Sequence, residues 1–184
     1  MSTSTDHPVA ADGPAPETTR KLFIAAAIGR ARTELAAFDH ALTLAGVADH
    51  NLIRLGSVIP AGSEVVETHL IPGSVGGVWG DRLYAVYAEQ RTSRLGHQVW
   101  AGVGWMTEAV TGRGLFVEHG GTDERAVRDQ ISVSLDDLRG HHDVRFGPPR
   151  SCVIGATCTG PSTCALVVCA FAVQPWVRSP NGDR

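Results

Sequence analysis

Apolar residues recur at helical spacing in two parts of the chain, and each part has end signals of its own. The first stripe consists of Leu35, Phe38, Leu42 and Ala45. Thr33 is placed to cap this helix and Gly46 to end it. The second stripe consists of Val127, Ile131, Leu135 and Leu138. Thr122 is placed to cap the second helix, and Arg139 and Gly140 close it, so the pattern predicts two helices.

Shorter apolar or alternating runs of strand length occupy much of the remaining chain. They are residues 21–28, 52–59, 83–88, 98–106, 115–117, 152–156 and 165–173. The run at 52–59 is stopped by Pro60, Ala61 and Gly62. About six strands with two helices, without strict alternation of strand and helix, predict an α+β fold with mostly antiparallel sheets.

The length and composition of the chain argue against some classes of function. The chain has 184 residues, 43% hydrophobic residues and a formal net charge of −3, which predicts a globular protein with no nucleic acid and no membrane as partner. We expect residues 1–19 to form a disordered tail, 20–177 a single domain, and 178–184 a polar end. The N-terminus lacks the pattern of a signal peptide, so the expected location is the cytoplasm.

The cysteines and histidines do not indicate a metal site. The four cysteines lie close together near the C-terminus: Cys152, Cys158, Cys164 and Cys169. Their spacing contains no CxxC pair, so we interpret them as small buried residues that stay reduced. His141 and His142 are adjacent in a charged stretch that reads as a solvated loop. We therefore expect no metal cofactor.

Asp39 lies four residues after Leu35 and three before Leu42. This spacing places a carboxylate on the helix face that the leucines are expected to bury. Burying a carboxylate is costly unless it is paired or lines a cleft. Two interpretations stay open: a ligand-binding group, or an internal ion pair with Arg32 or Arg54.

Glu118 follows the apolar residues 115–117 and precedes Gly120 and Gly121. An apolar strand end favours the neutral form of a carboxyl group, which suits a general acid. An exposed Glu at a strand end is the alternative. The dipeptide Gly56-Ser57 alone indicates only a turn.

Three segments in combination resemble the pyruvoyl-dependent arginine decarboxylases. TELAAFDHALTLAGVADHNLIRLGSVIPAGSEV at 33–65 is similar to that family's LNAFD-type helix, its AGI-x-x-x-NL motif, and its serine pair followed by an apolar residue and Pro. GLFVEHGG at 114–121 resembles the later G-L-x-x-E motif, and CALVVCAFAV resembles the final strand. The resemblance covers nearly all of the expected domain.

The resemblance implies a catalytic set. Ser57 aligns with the serine that attacks the preceding carbonyl and becomes a covalent pyruvoyl group, so cleavage between Gly56 and Ser57 would give chains 1–56 and 57–184. Asn51 aligns with an asparagine that assists self-cleavage, and Glu118 with the proton donor. The pyruvoyl group would replace pyridoxal phosphate, forming a Schiff base with the substrate and acting as electron sink.

The resemblance also implies a substrate, a fold and an oligomeric assembly. Asp39 would meet the guanidinium of L-arginine, with Leu35 also in the substrate site, and the products would be agmatine and CO2. The implied fold is a four-layer αββα sandwich, and the implied assembly is a homotrimer of cleaved protomers with sites shared between neighbours. Two alternatives are the same chemistry on another cationic or guanidino amino acid, and an uncleaved binding subunit.

Three positions depart from the family pattern. Gly56 stands where a serine is usual, and lacking a Cβ it is expected to leave room for attack and to tolerate strained backbone. Residues 29–32 (GRAR) are basic where relatives are often acidic or small, and Pro60-Ala61 replaces a common Pro-Pro. The departures at 29–32 and at 60–61 bear on which substrate is bound more than on the reaction.

Overall fold

The computed structural model describes residues 19–176, which form two helices and nine strands. In chain order these are β1 (Arg20–Ala31), α1 (Glu34–Ala45), β2 (Asn51–Arg54), β3 (Val58–Ile59), β4 (Ser63–Glu67), β5 (Arg82–Thr92), β6 (Gln98–Thr107), β7 (Gly114–Gly121), α2 (Glu124–His141), β8 (Arg150–Thr157) and β9 (Ser162–Gln174). The predicted tail and polar C-terminal end lie outside the described residues, apart from Thr19.

The strands form two sheets that face each other. Sheet 1 has the order β2-β5-β9-β1-β4, and sheet 2 has the order β3-β7-β6-β8. Sheet 2 is antiparallel throughout. In sheet 1 only the two edge strands run parallel to their neighbours, β2 beside β5 and β4 beside β1. Helix α1 packs on the outer face of sheet 1, and α2 packs on the outer face of sheet 2. The protein is thus an α+β sandwich of four layers, as predicted.

Strand β9 explains the longest apolar run of the sequence. It lies between β5 and β1 in the middle of sheet 1, with α1 on one face and sheet 2 on the other. Residues 162–170 are buried. Because both faces are covered, the strand is continuously apolar instead of alternating.

Gly29 sets the position of helix α1. A Cβ at Gly29 would overlap the Ala37 carbonyl oxygen and lie 2.5 Å from the Ala41 nitrogen. The helix backbone therefore rests almost directly on β1. The face that makes this approach consists mainly of alanines, and its buried residues are Ala37, Ala41, Leu42 and Ala45.

This packing corrects the predicted orientation of α1. Leu35 was expected on the buried stripe, but 70% of its surface is exposed. Asp39 is also exposed. The close approach at Gly29 favours small side chains, so the alanine face turns inward and Leu35 and Asp39 turn outward. Both predicted ends of the helix are confirmed: the Thr33 side chain accepts from the Ala36 N–H, and Gly46 has a φ of 83°.

Other predicted boundaries were wrong. The run at 52–59 is two strands, β2 and β3, in different sheets, and β4 was missed. Asp123, not Thr122, caps α2, because its carboxylate accepts from the Ala126 N–H at 2.8 Å. The helix extends to His141 and His142 is its C-cap, so these residues end a helix instead of forming a loop. No helix within 19–176 has the length and apolar character needed to span a bilayer.

We expect Gly29→Ala to lower the free energy of unfolding by about 3 kcal/mol, because the methyl group must push two backbones apart. Chemical denaturation would measure the loss. Gly140→Ala is the matched control, because Gly140 lies in α2 and a Cβ there would meet nothing within 4 Å. The control should be neutral or stabilise by up to about 1 kcal/mol. Equal stability of the two variants would contradict the packing argument.

Candidate active site

The link between β2 and β3 contains the predicted cleavage pair and crosses from one sheet to the other. The Leu55 N–H donates to the Ala85 carbonyl oxygen in sheet 1 at 3.0 Å. Two residues later, the Ser57 carbonyl oxygen accepts from the Phe116 N–H in sheet 2 at 2.8 Å. Gly56 therefore lies between a residue held by one sheet and a residue held by the other.

The carbonyl group of Gly56 already has a hydrogen-bond donor. The Val58 N–H donates to it at 2.8 Å, closing a tight turn around Ser57. A donor at this oxygen would suit the attack by Ser57 that the sequence resemblance predicts, because negative charge would develop there. Sequence reasoning missed Val58, since a backbone N–H has no residue signature.

Gly56 itself is not sterically required. Its φ is not positive, and a Cβ there would meet nothing within 4 Å. The expectation that glycine tolerates strained backbone here was therefore wrong. The space available is enough for the serine that is usual at this position in the resembling family.

Ser57 and Glu118 are brought together. The Ser57 Oγ donates to the Glu118 Oε1 at 2.7 Å, and both residues are half-buried. Alternation along β7 explains this contact: Phe116 points into the core between the sheets, and Leu115 and Val117 point toward α2. Glu118 shares the inward face with Phe116, where the link delivers Ser57.

Asn51 is placed elsewhere in this chain. It is the first residue of β2, and its side-chain amide donates to the Gly80 carbonyl oxygen. The Trp176 indole N–H donates to the same oxygen at 2.8 Å. The contact anchors the loop before β5, and the structure does not bring the Asn51 amide into a hydrogen bond with Gly56. Its role in cleavage stays a prediction.

Asp39 and Leu35 lie on α1, in the outer layer, whereas Ser57 and Glu118 lie at the boundary between the sheets. No hydrogen bond or salt bridge among residues 19–176 joins the two pairs. The alternative interpretation of Asp39 as an internal ion pair is also not observed, since neither Arg32 nor Arg54 contacts it in this part of the chain.

Arg54 is a second residue near the link that sequence reasoning did not place in the site. Its Nη2 donates to the Tyr87 carbonyl oxygen at 2.8 Å, and its guanidinium carbon lies 4.9 Å from the centre of the Tyr87 ring. No pattern in the sequence could assign this contact, because it joins β2 to a position on β5 beyond their pairing.

The cysteines are placed as small core residues. Cys158, Cys164 and Cys169 are buried and Cys152 is half-buried, and all four are free thiols. Burial raises the pKa of Cys152 to about 11 and that of Cys164 to about 12, so neither is an activated nucleophile. Among the described residues, no group of three or more His, Cys, Asp or Glu side chains is arranged to hold a metal ion.

One known protein family has a profile that covers most of the chain. The profile of the family described as pyruvoyl-dependent arginine decarboxylase matches residues 21–174. The chain belongs to this family. The matched range includes residues of both sheets and both helices, so the family assignment applies to the whole sandwich.

Several relatives carry the name pyruvoyl-dependent arginine decarboxylase, among them the following three. The Halobacterium salinarum protein is 41% identical over 125 residues, covering 68% of this chain and 74% of the relative. The Thermococcus kodakarensis protein is 35% identical over 105 residues (56% and 63%), and the Picrophilus torridus protein is 30% identical over 90 residues (46% of each). The aligned part thus spans less than two thirds of the Thermococcus and Picrophilus relatives.

Proposed function

We propose that this chain cleaves itself between Gly56 and Ser57 and then decarboxylates L-arginine to agmatine and CO2. The observation that carries the proposal is the 2.7 Å hydrogen bond between Ser57 and Glu118 at the link between the sheets. Family membership and the names of the relatives support the reaction class and the substrate.

Self-cleavage begins with Ser57. Its Oγ attacks the Gly56 carbonyl carbon, and the peptide rearranges to an ester through an oxyanion. The Val58 N–H, which already donates to that oxygen, supports the developing charge. Asn51 is proposed to assist, which requires its amide to leave the Gly80 carbonyl oxygen.

The two product chains are expected to stay together. Chain 1–56 would contain β1, α1 and β2, and chain 57–184 would contain the other elements. In sheet 1 both strands of the first chain pair with strands of the second: β2 pairs with β5, and β1 lies between β9 and β4. These hydrogen-bonded ladders survive a cut at Gly56, so separation requires denaturation.

A pyruvoyl group formed from Ser57 would supply a ketone for the substrate amino group and an electron sink for the loss of CO2. Position 57 suits this group, because its backbone is fixed to sheet 2 and its side chain points at Glu118. Glu118 is proposed to hold the proton that the substrate α-carbon needs after CO2 leaves.

Asp39 and Leu35 are proposed to belong to a substrate site shared between neighbouring protomers. Both are exposed on α1, and the carboxylate has no ion-pair partner among residues 19–176. A free carboxylate beside an exposed apolar side chain fits a guanidinium on an aliphatic stem. A homotrimer of cleaved protomers would bring this surface to Glu118 and to the pyruvoyl group at position 57 of a neighbour.

Ser57→Ala should abolish cleavage, because alanine has no nucleophilic oxygen. Intact mass under denaturing conditions should give chains 1–56 and 57–184 for the wild type and a single chain for the variant. Ser93→Ala, in an exposed turn, is the control and should cleave normally. A wild-type chain that stays intact after prolonged incubation would overturn the proposed function and favour a binding subunit.

The Glu118→Gln protein should still cleave, since the glutamine carbonyl oxygen can accept a hydrogen bond from the Ser57 hydroxyl. Its kcat should fall by about a hundred- to ten-thousandfold, because an amide cannot donate the proton. Mass spectrometry would follow cleavage, and CO2 release would follow turnover. Glu64→Gln, an exposed carboxylate on β4, is the control. A near-normal kcat in Glu118→Gln would show that another group donates the proton to the substrate α-carbon.

Asp39→Asn should lower kcat/KM for arginine by roughly thirty- to a thousandfold, because it removes a charge-assisted hydrogen bond worth about 2–4 kcal/mol. Cleavage at Ser57 should stay intact. CO2 release from arginine, lysine, ornithine and citrulline would measure the change in kcat/KM. Asp129→Asn, exposed on α2, is the control. Equal wild-type activity on citrulline would contradict the pairing, because citrulline has nearly the same shape without the charge.

A further inference from the structure

Gln90 is a polar residue on the inner face of strand β5. The preceding residues on that face, Val86 and Ala88, belong to the core between the two sheets. The next residue, Arg91, lies on the outer face, where its guanidinium stacks on the Phe38 ring of α1. Because side chains alternate along a strand, Gln90 points into the space between the sheets.

A distance across this space places the Gln90 amide beside strand β7. A Cβ built on Gly120 would lie 3.5 Å from the Gln90 Oε1 and 2.7 Å from the Glu89 carbonyl oxygen. Gly120 and Glu118 are two residues apart on the same face of β7, so their side-chain positions are about 7 Å apart. The Gln90 amide therefore lies one side-chain position beyond the Glu118 carboxyl group, on the same inner side as the Ser57 hydroxyl.

The Gln90 amide has hydrogen-bonding capacity to spare. The side-chain hydrogen bond that it makes within residues 19–176 runs from its Nε2 to the Arg91 carbonyl oxygen, and at 3.5 Å this bond is long and weak. A carboxamide offers two N–H donors and a carbonyl acceptor. The inward positions of the facing stretches are 86, 88 and 90 on β5 and 116, 118 and 120 on β7, and among them only Gln90 and Glu118 are polar.

The proposed self-cleavage removes the hydroxyl that donates to Glu118 in this structure. In the ester, the α-hydrogen of Ser57 passes as a proton to water, its electron pair forms the Cα–Cβ double bond, and the Cβ–Oγ bond breaks. The oxygen stays on the Gly56 carboxylate, and water then replaces the amino nitrogen of the dehydroalanine as ammonia to give the ketone. Position 57 then has no hydroxyl. Glu118 needs a new partner, because a half-buried carboxyl group without one is costly.

We propose that Gln90 is a positioning residue that takes over the hydrogen bond to Glu118 after cleavage and directs the Glu118 proton to the substrate α-carbon. This inference rests on the proposed function, in which Glu118 gives a proton to that carbon and regains one from water in every turnover. An amide suits both forms of the carboxyl group: its N–H donates to the ionised form, and its carbonyl oxygen accepts from the neutral form. A lysine or arginine at position 90 would favour the ionised form alone.

The crystal structure of the Ser57→Ala chain tests the contact without cleavage or turnover. Alanine removes the hydroxyl that donates to Glu118, so the carboxyl group should turn to Gln90, with one oxygen about 2.7–3.2 Å from the Gln90 Nε2. A carboxyl group that stays at position 57, or that bonds to another residue instead, overturns the proposal. An uncut wild type contradicts the proposed function, and the Ser57→Ala structure still decides the contact.

Gln90→Met tests the consequence for catalysis, because methionine has a similar length and shape without the amide. Cleavage should proceed at the wild-type rate, since the Ser57 hydroxyl is the partner of Glu118 before the cut. The kcat for arginine should fall by about ten- to a hundredfold with KM unchanged. In D2O the wild type should place deuterium on one face of the agmatine carbon that bears the amino group. The variant should place it on both faces, because Glu118 no longer directs the proton.

Gln98→Met is the matched control, because Gln98 is a glutamine of β6 that accepts from the Trp100 indole N–H at 2.9 Å on the outer side of sheet 2. The control should keep the wild-type kcat and the single-faced deuterium. The proposal is overturned if Gln90→Met keeps the wild-type kcat, if its deuterium stays on one face, or if the loss lies in KM, which would make Gln90 a substrate contact. If Gln90→Met does not fold, the Ser57→Ala structure decides.

Discussion

Two backbone hydrogen bonds on either side of Gly56 constrain the geometry of the whole site. One ties Leu55 to sheet 1 at Ala85, and the other ties Ser57 to sheet 2 at Phe116. Because Glu118 is two residues beyond Phe116 on the same face, the bond that fixes the Ser57 backbone also fixes its side chain against the carboxylate. The spacing of the sheets, set by the core between them, therefore determines the alignment of Ser57 with Glu118.

The same constraint makes the fold compatible with a cut. The strands before Gly56 are paired with strands after it, and β1 is bonded on both sides to strands from the other part of the chain. A broken peptide bond at the link removes one covalent connection and none of these ladders. Hydrogen bonding of β1 and β2 to later strands would therefore hold the two parts together after the proposed cut.

Local signals in the sequence were enough to predict the two helices, the caps of α1 and the buried strand β9. Long-range packing was not predictable in this way. The outward position of Leu35 depends on the contact of α1 with Gly29, which pattern alone cannot reveal. The Ser57–Glu118 contact joins residues 61 apart, so only the family resemblance placed them in one site. Neither the sequence pattern nor the family resemblance indicated the Val58 N–H, because its role depends on backbone geometry.

The shortness of β2 and β3 leaves the candidate site at an uncovered edge of both sheets. Strand β2 pairs with β5 only along Arg82 to Ala85, and β3 pairs with β7 only at Gly114 and Leu115. Within residues 19–176, the later parts of β5 and β7 therefore have no strand on this side. Gly120 brings the two sheets close there, since a Cβ on it would lie 2.7 Å from the Glu89 carbonyl oxygen. Longer edge strands would run beside Glu118, so the early departure of the chain at Gly56 leaves this carboxylate without a neighbouring strand on that side.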